Sequence, residues 1–227
     1  MKLKKTILIQ LALTCFSIAS ANTAETENLK DLYEYYCHTQ SDIQGHIPRL
    51  KKLATECSSV IEIGVRSMVS TWGILQGLSE NPSTTRSYIG VDLYLPPIQT
   101  LNLARKLAND NKVFFTFLQG NDMTLELPST ELLFIDSLHT YCHLTYELEK
   151  FSPNVTKYIV MHDTSDPWGG TDEHEYTGDY SEYPPYFNRN KRGLWPAVED
   201  FLVRHPEWKL EARYFDYHGL TILKRVN

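Results

Sequence analysis

The chain has 227 residues, of which 42% are hydrophobic and 22% charged, and its formal net charge is −6. This size and composition are typical of one globular domain with a sizeable core, and they exclude a fibrous or disordered chain. The acidic balance argues against a general nucleic-acid binder, which needs a basic surface. We therefore expect a small-molecule partner.

The first 21 residues have the three-part layout of a secretory signal peptide. Lys2, Lys4 and Lys5 precede an apolar run from Thr6 to Ile18, and small residues up to Ala21 supply a cleavage site. The run is shorter than the roughly 20 residues of a membrane span, so an anchor at 6–18 is the less favoured alternative. We expect an exported single domain, 22–227, that is secreted, periplasmic or luminal.

Three cysteines follow the predicted signal: Cys37, Cys57 and Cys142. They lack CxxC spacing, which argues against a zinc site of the finger type. An oxidising compartment would give at most one disulfide and one buried thiol, and three free thiols are the alternative.

Short apolar runs then alternate with helical patterns along the chain. Helices are predicted at Leu29–Cys37, Pro48–Cys57, Ser70–Leu78, Ile98–Ala108, Tyr141–Phe151 and Pro196–Arg204. Strands are predicted at Val60–Ile63, Tyr88–Val91, Val113–Phe117, Leu132–Ile135 and Tyr158–Met161. This alternation indicates βαβ units, and hence a Rossmann-like α/β fold with a parallel sheet and helices on both faces.

The end of the chain departs from this alternation. Two further strands, Trp208–Phe215 and Gly219–Val226, are joined by only three residues. A parallel crossover needs a dozen residues or more, so these strands must form an antiparallel hairpin. The predicted sheet therefore has seven strands, mostly parallel.

Four of the predicted parallel strands end in a glycine turn or an acid: VIEIGVRSMVST at Val60–Thr71, YIGVD at Tyr88–Asp92, LLFIDSLHTY at Leu132–Tyr141 and YIVMHDT at Tyr158–Thr164. Open parallel sheets bind ligands at the carboxyl ends of their strands. We therefore expect the functional site at this edge.

This arrangement resembles the class I S-adenosylmethionine-dependent methyltransferase fold over Pro48–Val226. The segments EIGVRSMVST, FIDSLHTY and IVMHDT resemble the metal-dependent O-methyltransferase branch that includes macrocin and related sugar O-methyltransferases, with cephalosporin hydroxylase as a relative. The resemblance implies S-adenosylmethionine as cofactor, an assisting divalent metal, Mg or Mn, and a small hydroxylated acceptor.

The first motif contains the expected cofactor loop. Gly64 lets the backbone approach a ligand just before a helix with free N–H donors, although a glycine here can also serve only a tight turn. By resemblance, Glu62 supports the loop, and Val65, Arg66 and Ser67 line the methionine part of the cofactor.

Further cofactor contacts are expected after the second and third strands. Asp92 can accept both ribose hydroxyl protons, although an acid after a strand is often a turn former. By resemblance, Asp122 in the GNDM segment contacts the adenine amino group, with a loop cap as the alternative. Met68 stands where the family usually has a second glycine, so it is expected to crowd the cofactor cleft or pack over it.

The chemistry is expected at the fourth and fifth strands. Asp136 and Asp163 can share one hard cation. His162 replaces a carboxylate that is common in the family, and an imidazole favours manganese, iron or zinc over magnesium. His139 matches the family's general base, and its ordinary pKa suits proton removal from a hydroxyl, although a structural role is the alternative.

The helix after His139 carries an apolar stripe, Tyr141, Leu144, Leu148 and Phe151, that predicts core packing. Its Cys142, His143 and Glu147 have no zinc-like pairing, and we interpret them as surface or core side chains.

The segment 164–192 is unusually long for a loop in a compact domain, which is typical of lids and binding loops. It carries six aromatic residues: Trp168, Tyr176, Tyr180, Tyr183, Tyr186 and Phe187. Aromatic rings among acids suit the binding of sugars or other rings. A surface insertion or a partner interface is the alternative.

Three functions are compatible with these features. The leading one is an S-adenosylmethionine-dependent O-methyltransferase. The second is a catalytically lapsed, exported binding protein, because S-adenosylmethionine is made in the cytosol and Met68 and His162 depart from the family pattern. A nicotinamide-dependent oxidoreductase ranks last, since no GxGxxG follows the first strand.

Overall fold

The computed structural model of the protein describes residues 28–174 and 187–226. Within these ranges the helices are α1 Leu29–His38, α2 Ile47–Thr55, α3 Val69–Glu80, α4 Ile98–Asp110, α5 Tyr141–Phe151 and α6 Leu194–Arg204. The strands are β1 Ser59–Ile63, β2 Arg86–Asp92, β3 Val113–Gln119, β4 Thr130–Ile135, β5 Val155–His162, β6 Trp208–Tyr214 and β7 Leu220–Arg225. Every predicted helix and strand is present.

The seven strands form one sheet in the order β3-β2-β1-β4-β5-β7-β6. The first five are mutually parallel, whereas β7 runs antiparallel to both β5 and β6. The predicted hairpin is thus inserted with its second strand next to β5. This topology confirms the predicted Rossmann-like sheet with a terminal hairpin.

Helices cover both faces of the sheet, which explains the continuous apolar runs in its central strands, such as LLFI in β4 and YIVM in β5. Successive side chains of a strand point to opposite faces. In β4, Phe134 joins the core formed with α2 and α3, where Trp72 is buried. Its neighbour Leu133 joins the core formed with α5 and α6, where Phe201 is buried. The strands that carry the expected site at their carboxyl ends are therefore held between two packed hydrophobic layers.

The predicted bounds of α5 agree with the structure because the helix has a side-chain cap. The Thr140 side chain accepts a hydrogen bond from the His143 amide at the first turn. Strand bounds were predicted less well. For example, β5 begins three residues earlier than predicted, at Val155, after a short 3₁₀ turn at Ser152–Asn154.

Cys37, Cys57 and Cys142 form no disulfide with one another, so of the two alternatives left open the structure has three thiols. No helix in the described ranges has both the length and the apolarity that a membrane crossing needs. The predicted signal at 1–21, and four aromatic residues of the long segment, Tyr176, Tyr180, Tyr183 and Tyr186, lie outside the described residues.

Candidate functional site

Gly64 lies where the loops after β1 and β4 come closest. Its φ is +87°, and a Cβ atom placed there would lie 1.9 Å from the carbonyl oxygen of Asp136. The Asp136 amide in turn donates to the Ile63 carbonyl at 2.8 Å. Only glycine permits this approach, and it brings the predicted cofactor loop directly beside the predicted metal ligand.

Glu62 supports the cofactor loop from inside the protein. Its fully buried carboxyl accepts hydrogen bonds from Ser70, from Thr71 at 2.8 Å and from the Tyr88 hydroxyl at 2.5 Å. Burial raises the pKa of Glu62 to about 7, although these three hydrogen bonds act to lower it. The carboxyl therefore ties the first turn of α3 to the sheet.

The cofactor loop and the end of β2 are joined through Asp92. Its Oδ2 accepts from the Arg66 amide at 2.7 Å, and its Oδ1 accepts from the Tyr94 amide at 2.9 Å. Val65 is buried, whereas Arg66 and Ser67 are exposed. The structure thus brings the predicted ribose carboxylate against the predicted methionine-binding loop.

Met68 has its side chain in the core. The residue precedes α3 with φ +68°, a left-handed conformation that favours glycine, as expected where the family has one. Its side chain is 0% exposed and belongs to the core cluster that contains Val65 and Trp72. The side chain therefore packs inward and does not cover an open cleft.

Asp136, His139 and Asp163, here called the outer cluster, lie at the ends of β4 and β5. One potential ligand atom from each falls within 4.8 Å of the others. His139 Nε2 is 3.0 Å from Asp163 Oδ2 and 3.5 Å from Asp136 Oδ1. This is a donor set that a divalent cation can use.

His162 lies beneath the outer cluster and faces both of its aspartates. Its Nε2 donates to the Tyr217 carbonyl oxygen at 3.0 Å. Its Nδ1 lies 3.3 Å from Asp136 Oδ1 and 3.2 Å from Asp163 Oδ2. Burial acts to lower the pKa of His162, but the two carboxylates, Asp136 first, raise it well above its usual range.

His139 is surrounded by carboxylates. Its Nδ1 lies 2.9 Å from Glu173 Oε2, opposite the aspartates at Nε2. Burial acts to lower the pKa of His139, but Asp136 and Asp163 outweigh it and raise the pKa to about 10. Neither ring nitrogen makes a well-aligned hydrogen bond to a described residue. Such an imidazole becomes a base only when a cation neutralises the aspartates.

Three more side chains line this site: Trp168, from the aromatic segment expected to bind a ligand, and His218 and Glu173, which the sequence did not suggest. His218, in the turn between β6 and β7, places Nδ1 3.1 Å from Asp163 Oδ1. Trp168 stacks on His139 with ring centroids 6.2 Å apart, and the Glu173 amide donates to the His139 carbonyl. The described start of the long segment is thus part of the site. For His218 the available signal was the hairpin, which predicts a turn near the end of β5.

A second group, here called the inner cluster, consists of Asp122, His143 and Glu147, all buried. His143 Nε2 lies 2.8 Å from Asp122 Oδ2. Burial acts to raise the pKa of Asp122, but His143 outweighs it and lowers the pKa to about 2. The carboxylate expected at the adenine therefore contacts His143 inside the protein. Of the surface or core placement expected for His143 and Glu147, the structure has the core, where they lie beside Asp122.

The topology and the site edge can be compared with known proteins. No protein-family model and no curated protein matches the sequence. Solved structures do match. A Podospora anserina methyltransferase with bound SAH is 15% identical, with a TM-score of 0.55, over 88% of each chain. The fold is that of the class I methyltransferases.

Two further solved structures are similar to this chain in fold. An O-methyltransferase from Bacillus cereus in complex with SAH has a TM-score of 0.55 at 12% identity, over 87% of this chain and 90% of that one. A methyltransferase from Geobacter sulfurreducens has a TM-score of 0.52 at 12% identity, over 91% and 92%. At these identities the likeness establishes the fold.

Proposed function

We propose that the protein is an S-adenosylmethionine-dependent O-methyltransferase, assisted by a divalent cation, that acts on a small hydroxylated acceptor. One observation carries this proposal. The glycine loop with Asp92 and the outer cluster meet at one edge of a methyltransferase sheet, with Gly64 in contact with Asp136. A cofactor methyl group and a cation-bound hydroxyl can therefore be held side by side.

The cofactor would be held by the residues around the glycine loop. Two backbone amides donate to Asp92, and its carboxylate would accept the ribose hydroxyl protons. Val65, Arg66 and Ser67 would line the methionine part, with Glu62 fixing the loop from below. The carboxylate of Asp122 contacts His143, so in this arrangement it would not bind the adenine amino group directly. Asp122 would instead shape the adenine side of the cleft.

The outer cluster would prepare the acceptor. The ring nitrogens of His139 lie beside two carboxylates but make no well-aligned hydrogen bond to a described residue. This arrangement fits a site that holds a cation. Asp136 and Asp163 would hold it, with His162 as a third ligand or as a support for both. A bound cation lowers the pKa of a hydroxyl. His139 would then take the hydroxyl proton, and Trp168 would limit access of water to its ring.

Calorimetry with S-adenosylmethionine, with and without Mn²⁺ or Mg²⁺, tests the proposal. We expect binding by the wild type and at least about tenfold weaker binding by Asp92→Ala, since the ribose contacts are lost. Asp110→Ala, at an exposed position on α4, is the matched control and should bind normally. No binding by the wild type under any of these conditions would refute the enzyme proposal.

One observation favours a second candidate, a catalytically lapsed, exported binding protein. His162 lies within 3.3 Å of both aspartates, where its imidazolium can replace a cation. Such a protein would bind a ring-bearing ligand through Trp168 and the long segment. Ligand binding that survives in an Asp136→Ala/Asp163→Ala variant would support it, whereas loss of a measured methylation activity in that variant would count against it.

A further inference from the structure

The inner cluster brings together three donor groups from two separate elements. His143 and Glu147 lie one turn apart on α5, and Asp122 comes from the loop between β3 and β4. His143 Nε2 lies 2.8 Å from Asp122 Oδ2 and 3.8 Å from Glu147 Oε1. An i, i+4 pair on one helix, completed by a third ligand from another element, is a recurring arrangement of protein zinc ligands.

The charges of this cluster require a neutralising partner. The side chains of Asp122 and Glu147 are only 10% and 1% exposed. Ser137 donates to Glu147 Oε1 at 2.7 Å, but Oε2 is buried with no hydrogen-bond donor among the described residues. Two such carboxylates must share either a proton or a cation.

Lys150, on the same helix, does not fill this role. Lys150 Nζ donates to the backbone carbonyls of Asp122 and Met123, at 3.0 and 2.9 Å. Its carboxylate contact in the described chain is with the exposed Glu126, at 3.9 Å. Among the described residues, His143 is then the side chain that pairs with these carboxylates and can carry a positive charge.

We propose that the inner cluster binds a divalent transition metal ion, for which Zn²⁺ has the best-matched chemistry. A shared proton would satisfy Glu147 and Asp122, and His143 would then only hydrogen-bond to Asp122. A cation uses all three donors at once.

This site would act structurally and does not depend on methyl transfer. It would fasten α5 to the loop after β3, and Ser137 would connect it to the neighbouring Asp136. A metal bound only by the folded state stabilises that state.

Zinc content measured by mass spectrometry tests the inference. An Asp136→Asn/Asp163→Asn variant removes the outer carboxylates, and we expect it to retain about one equivalent of Zn²⁺ after dialysis. Adding Glu147→Gln should reduce this content by about tenfold, because the amide is a poor metal ligand. A chelator should lower the Tm of the first variant by about 5 °C and leave that of the second unchanged.

Glu147→Gln also distinguishes a cation from a shared proton. Glutamine has the shape of a protonated glutamate and can donate to Asp122 in the same way. Equal zinc content in Glu147→Gln and its parent, or no zinc in a folded parent, would overturn the inference. If the double aspartate variant does not fold, wild type and Glu147→Gln are compared directly, and a difference of about one equivalent is expected.

Discussion

Gly64 makes the close contact between the two halves of the candidate site. Its positive φ and the 1.9 Å approach of the Asp136 carbonyl oxygen leave no room for a side chain. We expect Gly64→Ala to lower the free energy of unfolding by about 3 kcal/mol, through backbone strain and overpacking together. Urea denaturation measures this value.

Gly170→Ala is the matched control for this substitution, because a Cβ atom there would meet nothing within 4 Å. The control should change stability by less than about 0.5 kcal/mol. Similar stabilities of the two variants would contradict the proposed role of the Gly64 contact.

Glu62 predicts a specific pH dependence of stability. Its pKa is raised from 4.5 to about 7, so the folded state holds the proton more tightly than the unfolded state. This contribution to stability is complete below the unfolded pKa and is lost as the pH rises through the folded pKa. The difference between the unfolded and folded pKa of Glu62 corresponds to about 3 kcal/mol of unfolding free energy.

Glu62→Gln removes this titration. Relative to the variant, the wild type should lose about 3 kcal/mol of unfolding free energy between about pH 4 and pH 8. Denaturation of both proteins across this range is the measurement. Glu34→Gln, at an exposed position on α1, should instead follow the wild-type curve at every pH. A constant difference between wild type and Glu62→Gln would exclude a raised pKa.

At the scale of elements, the turn between β6 and β7 belongs to the site. Tyr217, His218 and Gly219 all have positive φ. The turn is anchored where Asp216 pairs with Arg49 of α2 at 3.1 Å. This conformation directs His218 to Asp163, so the imidazole orients a carboxylate of the outer cluster.

We therefore expect His218→Ala to weaken Mn²⁺ binding by about tenfold, the usual cost of losing a residue that orients a metal ligand. Calorimetry in a Glu147→Gln background restricts the measurement to the outer cluster. His38→Ala, an exposed substitution on α1, is the control and should bind like its parent. Equal Mn²⁺ affinity in the His218 and His38 variants would show that the turn does not contribute to metal binding at the outer cluster.

The elements themselves were predictable because they depend on local patterns. Alternating apolar runs predicted every helix and strand, and the Thr140 cap fixed the start of α5. The inner cluster was not predictable. Whether His143 points into the protein depends on its contact with Asp122, which lies 21 residues earlier in the sequence. No periodicity within a helix contains that information.

At the scale of the whole molecule, export remains a prediction from the first residues. We expect the mature chain to begin at Asn22, which removes three lysines and no acids and changes the net charge from −6 to −9. Mass spectrometry of the protein recovered from an exporting host measures this start. Ala21→Arg should block cleavage, because the site requires small residues. An intact Met1 in exported wild-type protein would contradict the prediction.

The sequence by itself determined the mostly parallel sheet implied by βαβ units, the terminal hairpin, and the placement of Gly64, Asp92, Asp136 and Asp163 at one edge. These follow from periodicity and from the geometry of parallel strands. Only the tertiary structure decided that His218 and Glu173 reach the outer cluster and that Met68 packs inward. The physical reason is that such contacts join distant parts of the chain, and packing alone sets which side chains meet.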